Sequence, residues 1–315
     1  MRVIFMGTPD FAVPTLERLC EDGHEVVLAV TQADKPRGRG QQMKPTPVKE
    51  KALQHNIPVY QPEKLKTDEA YAYLASFGPD VIVVVAYGKI LPQRILDLPR
   101  YGCINVHASL LPRYRGAAPI QWAVLNGETE AGVTTMQMAA GLDTGDMLLR
   151  SRRPLPEDMT GGELHDLLAQ DGALLLSRTL RALESGDLHP EKQDDSLSCY
   201  APMLEKSMGT LDWNRPARQL HNQVRGLNPW PSAVCRFAGK ALKVHRSRVG
   251  DGKTDERPGT VVKLDPFTVA CGEGTTLELL EVQYEGAKRM PAADFLRGHP
   301  AHVGMRLDEP QENPA

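Results

Sequence analysis

Long apolar runs are missing from this chain of 315 residues. The longest, Val81–Tyr87, has the length of a strand, whereas a membrane-spanning helix needs about 18 consecutive apolar residues. The opening MRVIFMGTPD offers one arginine and four apolar residues before Gly7 and Pro9, too little for a signal-peptide core. Cysteine is scarce. Cys20, Cys103, Cys199, Cys235 and Cys271 are widely spaced, odd in number and form no C-x-x-C pair. That argues against a disulfide framework or structural zinc and for a reducing cytoplasm. No H-x-x-x-H pair is present either. The first turn, Gly7-Thr8-Pro9-Asp10-Phe11-Ala12, lacks the G-x-G-x-x-G pattern, and no G-x-x-x-x-G-K-[ST] occurs. A nicotinamide oxidoreductase and a P-loop ATPase therefore lose their main support. An excess of one charge is also lacking: 37 basic side chains face 40 acidic ones, a net −3, which taken as an average speaks against a general nucleic-acid binder.

Apolar residues make up 41% and charged residues 24%, ordinary values for a folded chain. The length suggests about two domains. Over the first two thirds, short Val/Ile runs alternate with helical patterns. Strands are predicted at 3–6, 26–30, 81–86, 104–107 and 133–138, and helices at 11–21, 47–56, 67–77 and 117–126. Continuous β-branched runs between helices indicate an α/β fold, a Rossmann-like open and mainly parallel sheet covered on both faces. Ligands of such sheets bind beyond the carboxyl ends of the strands. A long helix is predicted from about 162 to 184, closed by Gly186, and 187–206 reads as a polar connector. From 207 the pattern changes to short alternating segments at 232–237, 241–249, 259–264, 267–271 and 275–284. They predict a smaller C-terminal antiparallel β-barrel, OB-like in kind. The expected organisation is 1–186, a connector at 187–206, and 207–315.

Asn105-Val106-His107 ends the strand at 104–107, and strand alternation places Asn105 and His107 on one face. An amide donor beside an imidazole suits the developing oxyanion of a carbonyl addition. A polar strand end satisfied by backbone is the other reading. Gly141-Leu142-Asp143-Thr144-Gly145-Asp146 places two carboxylates in a turn. One of them could orient the histidine, or the segment could be an ordinary Asx turn. The stretch 34–49 carries Lys35, Arg37, Arg39, Lys44 and Lys49 against Asp34 alone. It reads as a flexible basic loop, either functional or a solvated insertion. Arg215, Arg218, Arg225, Arg236, Lys240, Lys243, Arg246 and Arg248 fall within 213–250, a span without Asp or Glu. Eight uninterrupted positive charges fit a phosphate-backbone footprint or a solvated basic face. Asn228-Pro229-Trp230-Pro231 reads as a rigid turn with a packed indole rather than a base-stacking site.

Taken together, VIFMGTPDFA (3–12), GRGQQMKPTPVK (38–49), VVVAYGKILP (83–92), GCINVHASLLPRYRGAAPIQWA (102–123), GVTTMQMAAGLDTGDML (132–148) and NPWP (228–231) resemble the folate-dependent formyltransferase family. The basic loop and the C-terminal region resemble its methionyl-tRNA branch. The resemblance implies that Asn105, His107 and Asp143 are the catalytic trio and that Ser109, Leu110, Leu111 and Pro112 contact folate. It implies 10-formyltetrahydrofolate as formyl donor, with no metal, and initiator Met-tRNA as acceptor. It brings Arg39 to the acceptor end of the tRNA. Lys35, Arg37, Lys44, Arg215, Arg218 and Arg246 complete the expected tRNA contacts, in a cytoplasmic monomer without membrane association. Gln41 and Gln42 stand where the family often has lysines. The rivals are a formyltransferase for a small amine, which needs neither basic region, and a non-catalytic RNA-binding module, which leaves the trio unexplained.

Overall fold

A computed structural model describes residues 1–37 and 42–308, and the chain divides into two compact units. Unit 1 comprises Met1–Pro119, Glu130–Arg153 and His165–Ala201; unit 2 comprises Ile120–Thr129, Pro154–Leu164 and the chain from Pro202.

The elements begin with β1 (Arg2–Gly7), α1 (Val13–Glu21) and β2 (Glu25–Val30), then a hairpin of β3 (Lys35–Arg37) and β4 (Gln42–Lys44). There follow α2 (Pro47–Gln54), β5 (Val59–Tyr60), α3 (Asp68–Ser76), β6 (Val81–Val85), α4 (Gln93–Leu96) and β7 (Cys103–His107). Next come β8 (Arg115–Gly116), α5 (Pro119–Leu125), β9 (Glu130–Gln137), β10 (Met147–Pro154), α6 (Gly161–Ser185) and β11 (Tyr200–Ala201). Local chemistry sets several boundaries. Thr46 and Thr67 cap α2 and α3 by accepting from the N–H groups of Lys49 and Ala70, and Pro47 stands at the first helical position, where no N–H is needed.

Seven strands of unit 1 form one sheet in the order β10-β9-β7-β6-β1-β2-β5. β1 pairs in parallel with β2 and β6, and β6 with β7, whereas β9 runs antiparallel to β7. All five residues of β6 are buried, as a strand covered on both faces requires. The chain leaves β1 toward β2 and β5, then returns to its other side with β6. In open α/β sheets ligands bind at such a reversal, which here lies beyond Gly7 and Val85 at the carboxyl ends of β1 and β6.

Unit 2 adds α7 (Ala217–Gly226), β12 (Ala233–Phe237), β13 (Lys240–Val249), β14 (Val261–Leu264), β15 (Phe267–Ala270), β16 (Thr276–Tyr284), β17 (Met290–Pro291) and α8 (Ala292–Gly298). Its sheet runs β12-β13-β16-β15-β14 with β17 on β16, every pair antiparallel. Leu220, Val224, Val244, Val269, Leu279 and Phe295 build its core.

Both expected sheets are present. The structure adds α7 and α8 to a region read as strands only, and β10 beside β9. It also replaces part of the flexible basic loop by the β3–β4 hairpin, with Lys35 opposite Lys44. Residues 187–206 are divided between the units. The stretch to Ala201 packs with unit 1, where β11 pairs with β8.

Candidate active site

Strand alternation turns Asn105 and His107 to one face of β7, with the buried Val106 on the other. Asn105 lies opposite Val84 and Met136, and His107 lies opposite Thr134. The pair thus ends a strand in the interior of the sheet. Asp143 arrives from a turn 38 residues further along, where its Oδ1 accepts from Asn105 Nδ2 at 3.5 Å. Its Oδ2 accepts the Gly116 N–H at 2.8 Å and stands 3.8 Å from His107 Nδ1. The imidazole and carboxylate side chains are only 7% and 13% exposed. His107 Nε2 lies 2.9 Å from the Tyr114 carbonyl. A carbonyl only accepts, so Nε2 carries the proton and Nδ1 faces the carboxylate. Of the two carboxylates in the turn, Asp143 joins the pair, and the Asp146 side chain does not.

The backbone around the trio is unusual. Ala86, Tyr114 and Asp143 have φ of 46°, 60° and 52°, in the left-handed region. Each costs on the order of 1–3 kcal/mol and persists only where its surroundings enforce it. Gly116 has φ of 118°, and a Cβ there would lie 2.7 Å from the Tyr200 ring and 2.8 Å from the Ala201 carbonyl. A Cβ on Gly145 would lie 1.6 Å from the Gln137 carbonyl oxygen. Both glycines are dictated by close approach.

Beyond β7, the Ser109 hydroxyl donates to the Arg113 carbonyl at 2.7 Å, so it staples its own turn. Thr134 Oγ1 donates to the Ser109 carbonyl and accepts from the Leu111 N–H. Leu111 is buried with Met136 and Met147, while Leu110 and Pro112 are half-buried. Tyr87, in the loop after β6, has a buried hydroxyl with no hydrogen-bond partner among the described residues. Burial pushes its pKa up to about 12, so it stays a donor at neutral pH. Among the described residues, no group of three or more His, Cys, Asp or Glu could hold a metal ion.

Residues 1–180 match a family model described as "Formyl transferase", and residues 203–300 match "Formyl transferase, C-terminal domain". The chain belongs to the formyl transferase family. A relative from Geobacter sulfurreducens, named methionyl-tRNA formyltransferase, is 53% identical over 98% of this chain and 97% of its own length. One of the same name from Caldanaerobacter subterraneus is 52% identical over 98% of this chain and all of its own. Among solved structures, the sugar 3N-formyl transferase WlaRD has a TM-score of 0.66 at 16% identity, covering 91% of this chain and 99% of that one. The N-formyltransferase of Helicobacter canadensis has a TM-score of 0.65 at 16% identity, covering 92% and 100%. At such identities the likeness is one of fold.

The basic regions of this formyl transferase look different in three dimensions. In the hairpin, Lys35 and Lys44 are exposed. Arg39 and Gln41 lie outside the described residues, and only the backbone of Arg37 and Gln42 is described. Lys49, counted above with the loop charges, bonds Asp34 at 2.6 Å and Gln61 at 2.8 Å. The Lys49 bond, with a second from Gln61 Nε2 at 2.8 Å, holds the Asp34 carboxyl below the usual carboxylate range. Lys49 thus ties down the base of the hairpin.

Within 213–250, Arg218 pairs with Glu157, Arg246 with Glu163 at 2.7 Å, and Arg248 with Glu278 at 2.5 Å. Arg215 bonds Gln219. Arg225 is 5% exposed and donates to the Pro156, Met159 and Val124 carbonyls, so it braces unit 2 from inside. Trp230 corrects the packed-indole expectation. It is 52% exposed.

Sequence reasoning singled out neither Gly116 nor Gln193. Gln193 Nε2 donates to the Asp143 and Gly145 carbonyls at 2.7 and 2.8 Å. Its contacts join residues about fifty positions apart in a polar stretch, and no local pattern marks them.

Proposed function

We propose that the chain transfers the formyl group of 10-formyltetrahydrofolate to the α-amino group of methionine on initiator tRNA, giving formylmethionyl-tRNA for translation initiation. The observation that carries the chemistry is the closing of Asp143 onto Asn105 and His107 at the open end of β7. The near full-length likeness to relatives named for this reaction supports the choice of acceptor.

In this reading the amine attacks the formyl carbon. The new C–N bond forms as the carbonyl π electrons move onto oxygen. Asn105 Nδ2, held only loosely at 3.5 Å, is free to turn to that oxyanion. His107 keeps Nε2–H on Tyr114 and presents Nδ1–H to the oxyanion when charged. Asp143 orients the ring and takes the proton that the nitrogen sheds once the C–N bond has formed, directly or through water. The oxyanion then collapses, the bond to the donor's nitrogen breaks, and that nitrogen receives the proton that Asp143 took from the adduct. The donor fits the crevice beyond β1, β6 and β7. Half-buried Leu110 and Pro112 offer an apolar wall beside a turn that Ser109 staples, with Leu111 anchored in the interior against Met136 and Met147.

Residues 1–186 would carry the chemistry, and 207–315 with the hairpin would hold the tRNA. Lys35 opposite Lys44 repel one another across the hairpin, a cost that a bound phosphate relieves. The test is formylation by purified protein with 10-formyltetrahydrofolate and charged initiator tRNA, at low tRNA concentration and with rising salt. Turnover that falls with salt is expected. Turnover of small amines with none on Met-tRNA would move the assignment to the small-amine branch. Binding of tRNA without turnover of any acceptor would leave a binding module.

A further inference from the structure

We propose that Gln193, oriented by Arg115, is a positioning residue for Asp143, and that the strap from Glu191 to Ala201 is part of the catalytic apparatus rather than a connector. This rests on the assignment of Asp143 to the chemistry. Asp143 occupies a left-handed conformation, φ 52°, which costs an L residue free energy even though Asp tolerates it better than most. Two groups hold it there. The Gly116 N–H grips the carboxylate at 2.8 Å, and the Gln193 amide grips the main chain. The two hydrogens of Gln193 Nε2 reach the carbonyls of Asp143 and Gly145, so one side chain bridges both ends of the turn.

The amide cannot turn over. Its oxygen accepts from Arg115 Nε at 3.0 Å and from an Arg115 terminal nitrogen at 2.8 Å, and neither nitrogen can accept in return. That terminal nitrogen also donates to Asp195 at 2.7 Å, another residue of the strap. The Arg115 main chain is fixed in turn: its N–H donates to the Cys199 carbonyl, and β8 pairs with β11. Arg115 and Gly116 are adjacent. The same two-residue strand therefore fixes the amide that holds the Asp143 backbone and supplies the N–H that holds its side chain. The carboxylate's approach to His107 Nδ1, 3.8 Å here, depends on this double grip. Displacing a reacting group by about 1 Å costs on the order of 100-fold in rate.

The test is a double-mutant cycle between Gln193 and Asp143, read as kcat and KM for both substrates alongside thermal midpoints. Gln193→Ala should lower kcat by about 10- to 100-fold, the scale of misplacing a reacting group by up to about 1 Å. KM for Met-tRNA and for the folate should change little. In an Asp143→Ala background, Gln193→Ala should cost no further activity, because the group it positions is gone. A merely structural role would lower activity equally in both backgrounds, and that outcome overturns the proposal. Wild-type kcat in Gln193→Ala overturns it as well. Should Gln193→Ala not fold, Gln193→Glu serves: it keeps the Arg115 contact but offers no hydrogen to the two carbonyls, so the same kcat loss is expected. Full activity in Asp143→Ala itself would overturn the catalytic assignment, a result separable from additivity.

Discussion

Asp143 shows how much a single residue owes to its surroundings. Its own sequence neighbours, Leu142 and Thr144, give it no special chemistry. Its reach to Asn105 and His107 comes from a left-handed backbone enforced by Gly116 and Gln193. If the trio acts on the developing oxyanion, Asn105→Ala and His107→Ala should each cost about 2.7–4 kcal/mol of barrier, or roughly 10²–10³ in kcat. Asp143→Ala should fall in the same range. The tRNA Kd should stay unchanged in all three. Single-turnover formylation with filter binding checks this, and near-normal turnover in one variant removes that residue from the mechanism. Asn105 and His107 were legible because a strand's period of two is local. Spacing alone left Asp143 and Asp146 both open, and only the family resemblance pointed to Asp143, since the choice depends on a backbone conformation set by residues up to 50 positions away. His221 makes a second prediction at this scale. Its Nε2 donates to the Glu157 carbonyl, so Nδ1 accepts from Ser247. Burial lowers its pKa below the usual 6.5; Arg225 and Arg218 add to this, and the Glu157 carbonyl and Asp158 oppose it. Between the folded and unfolded pKa values the unfolded chain binds more protons. The stabilisation is therefore complete above about pH 6.5 and is lost as pH falls through the window below it. Carboxyls held low, such as Glu157, lose theirs only below about 4.5. The thermal midpoint should drop as pH falls below about 6.5, and His221→Gln should flatten that slope. His24 and His245, also lowered by burial, supply what remains. An unchanged slope in His221→Gln would place the dependence elsewhere.

Elements were legible where a local signal set them. Thr46-Pro47 and Thr67 announce α2 and α3 as caps, and the valine run of β6 could only be a buried strand. α7 was missed although Ala217, Leu220, Val224 and Leu227, all buried, recur at helical spacing. Pro216, Gly226 and Pro229 crowd that pattern into ten residues and mimic a turn-rich β region. The hairpin was missed for another reason: its strands have three residues each, and it places Lys35 opposite Lys44, a pairing that isolated propensity disfavours. What holds it is the base, where Lys49, Asp34 and Gln61 interlock. Lys49→Met should therefore act through stability, lowering the thermal midpoint by about 2–4 °C per kcal/mol lost, and leave the salt slope of tRNA binding nearly unchanged. Arg39→Ala should do the reverse: KM for Met-tRNA rises and KM for the folate does not. Calorimetry and steady-state kinetics separate the two. If Arg39→Ala altered neither KM for tRNA nor turnover, the hairpin would not be an RNA contact.

For the molecule as a whole, the net charge of −3 conceals the positive span 213–250, and the span in turn conceals its counter-ions. Sequence counting found eight cations and no acid there, because Glu157, Glu163 and Glu278 are contributed by other segments of unit 2. This has a measurable consequence for tRNA binding. Each phosphate neutralised releases bound salt cations and steepens the plot of log K against log salt by about 0.7–0.9. An arginine that must first leave a glutamate exposes that carboxylate, which takes up a cation and cancels much of the gain. The slope should therefore be shallower than eight contacts imply. Arg218 and Glu157 test this directly. Both are more than half exposed, 53% and 60%, and such surface pairs are held by no more than about 1 kcal/mol, so a phosphate can displace Glu157. Glu157→Gln should tighten Met-tRNA binding at low salt and steepen the slope by about one contact, and adding Arg218→Gln should abolish both effects. Nitrocellulose binding across a salt series measures them. If Glu157→Gln leaves the slope where it was, Arg218 lies off the RNA path, and the contacts of unit 2 fall to Lys240, Lys243 and the other exposed cations of β13.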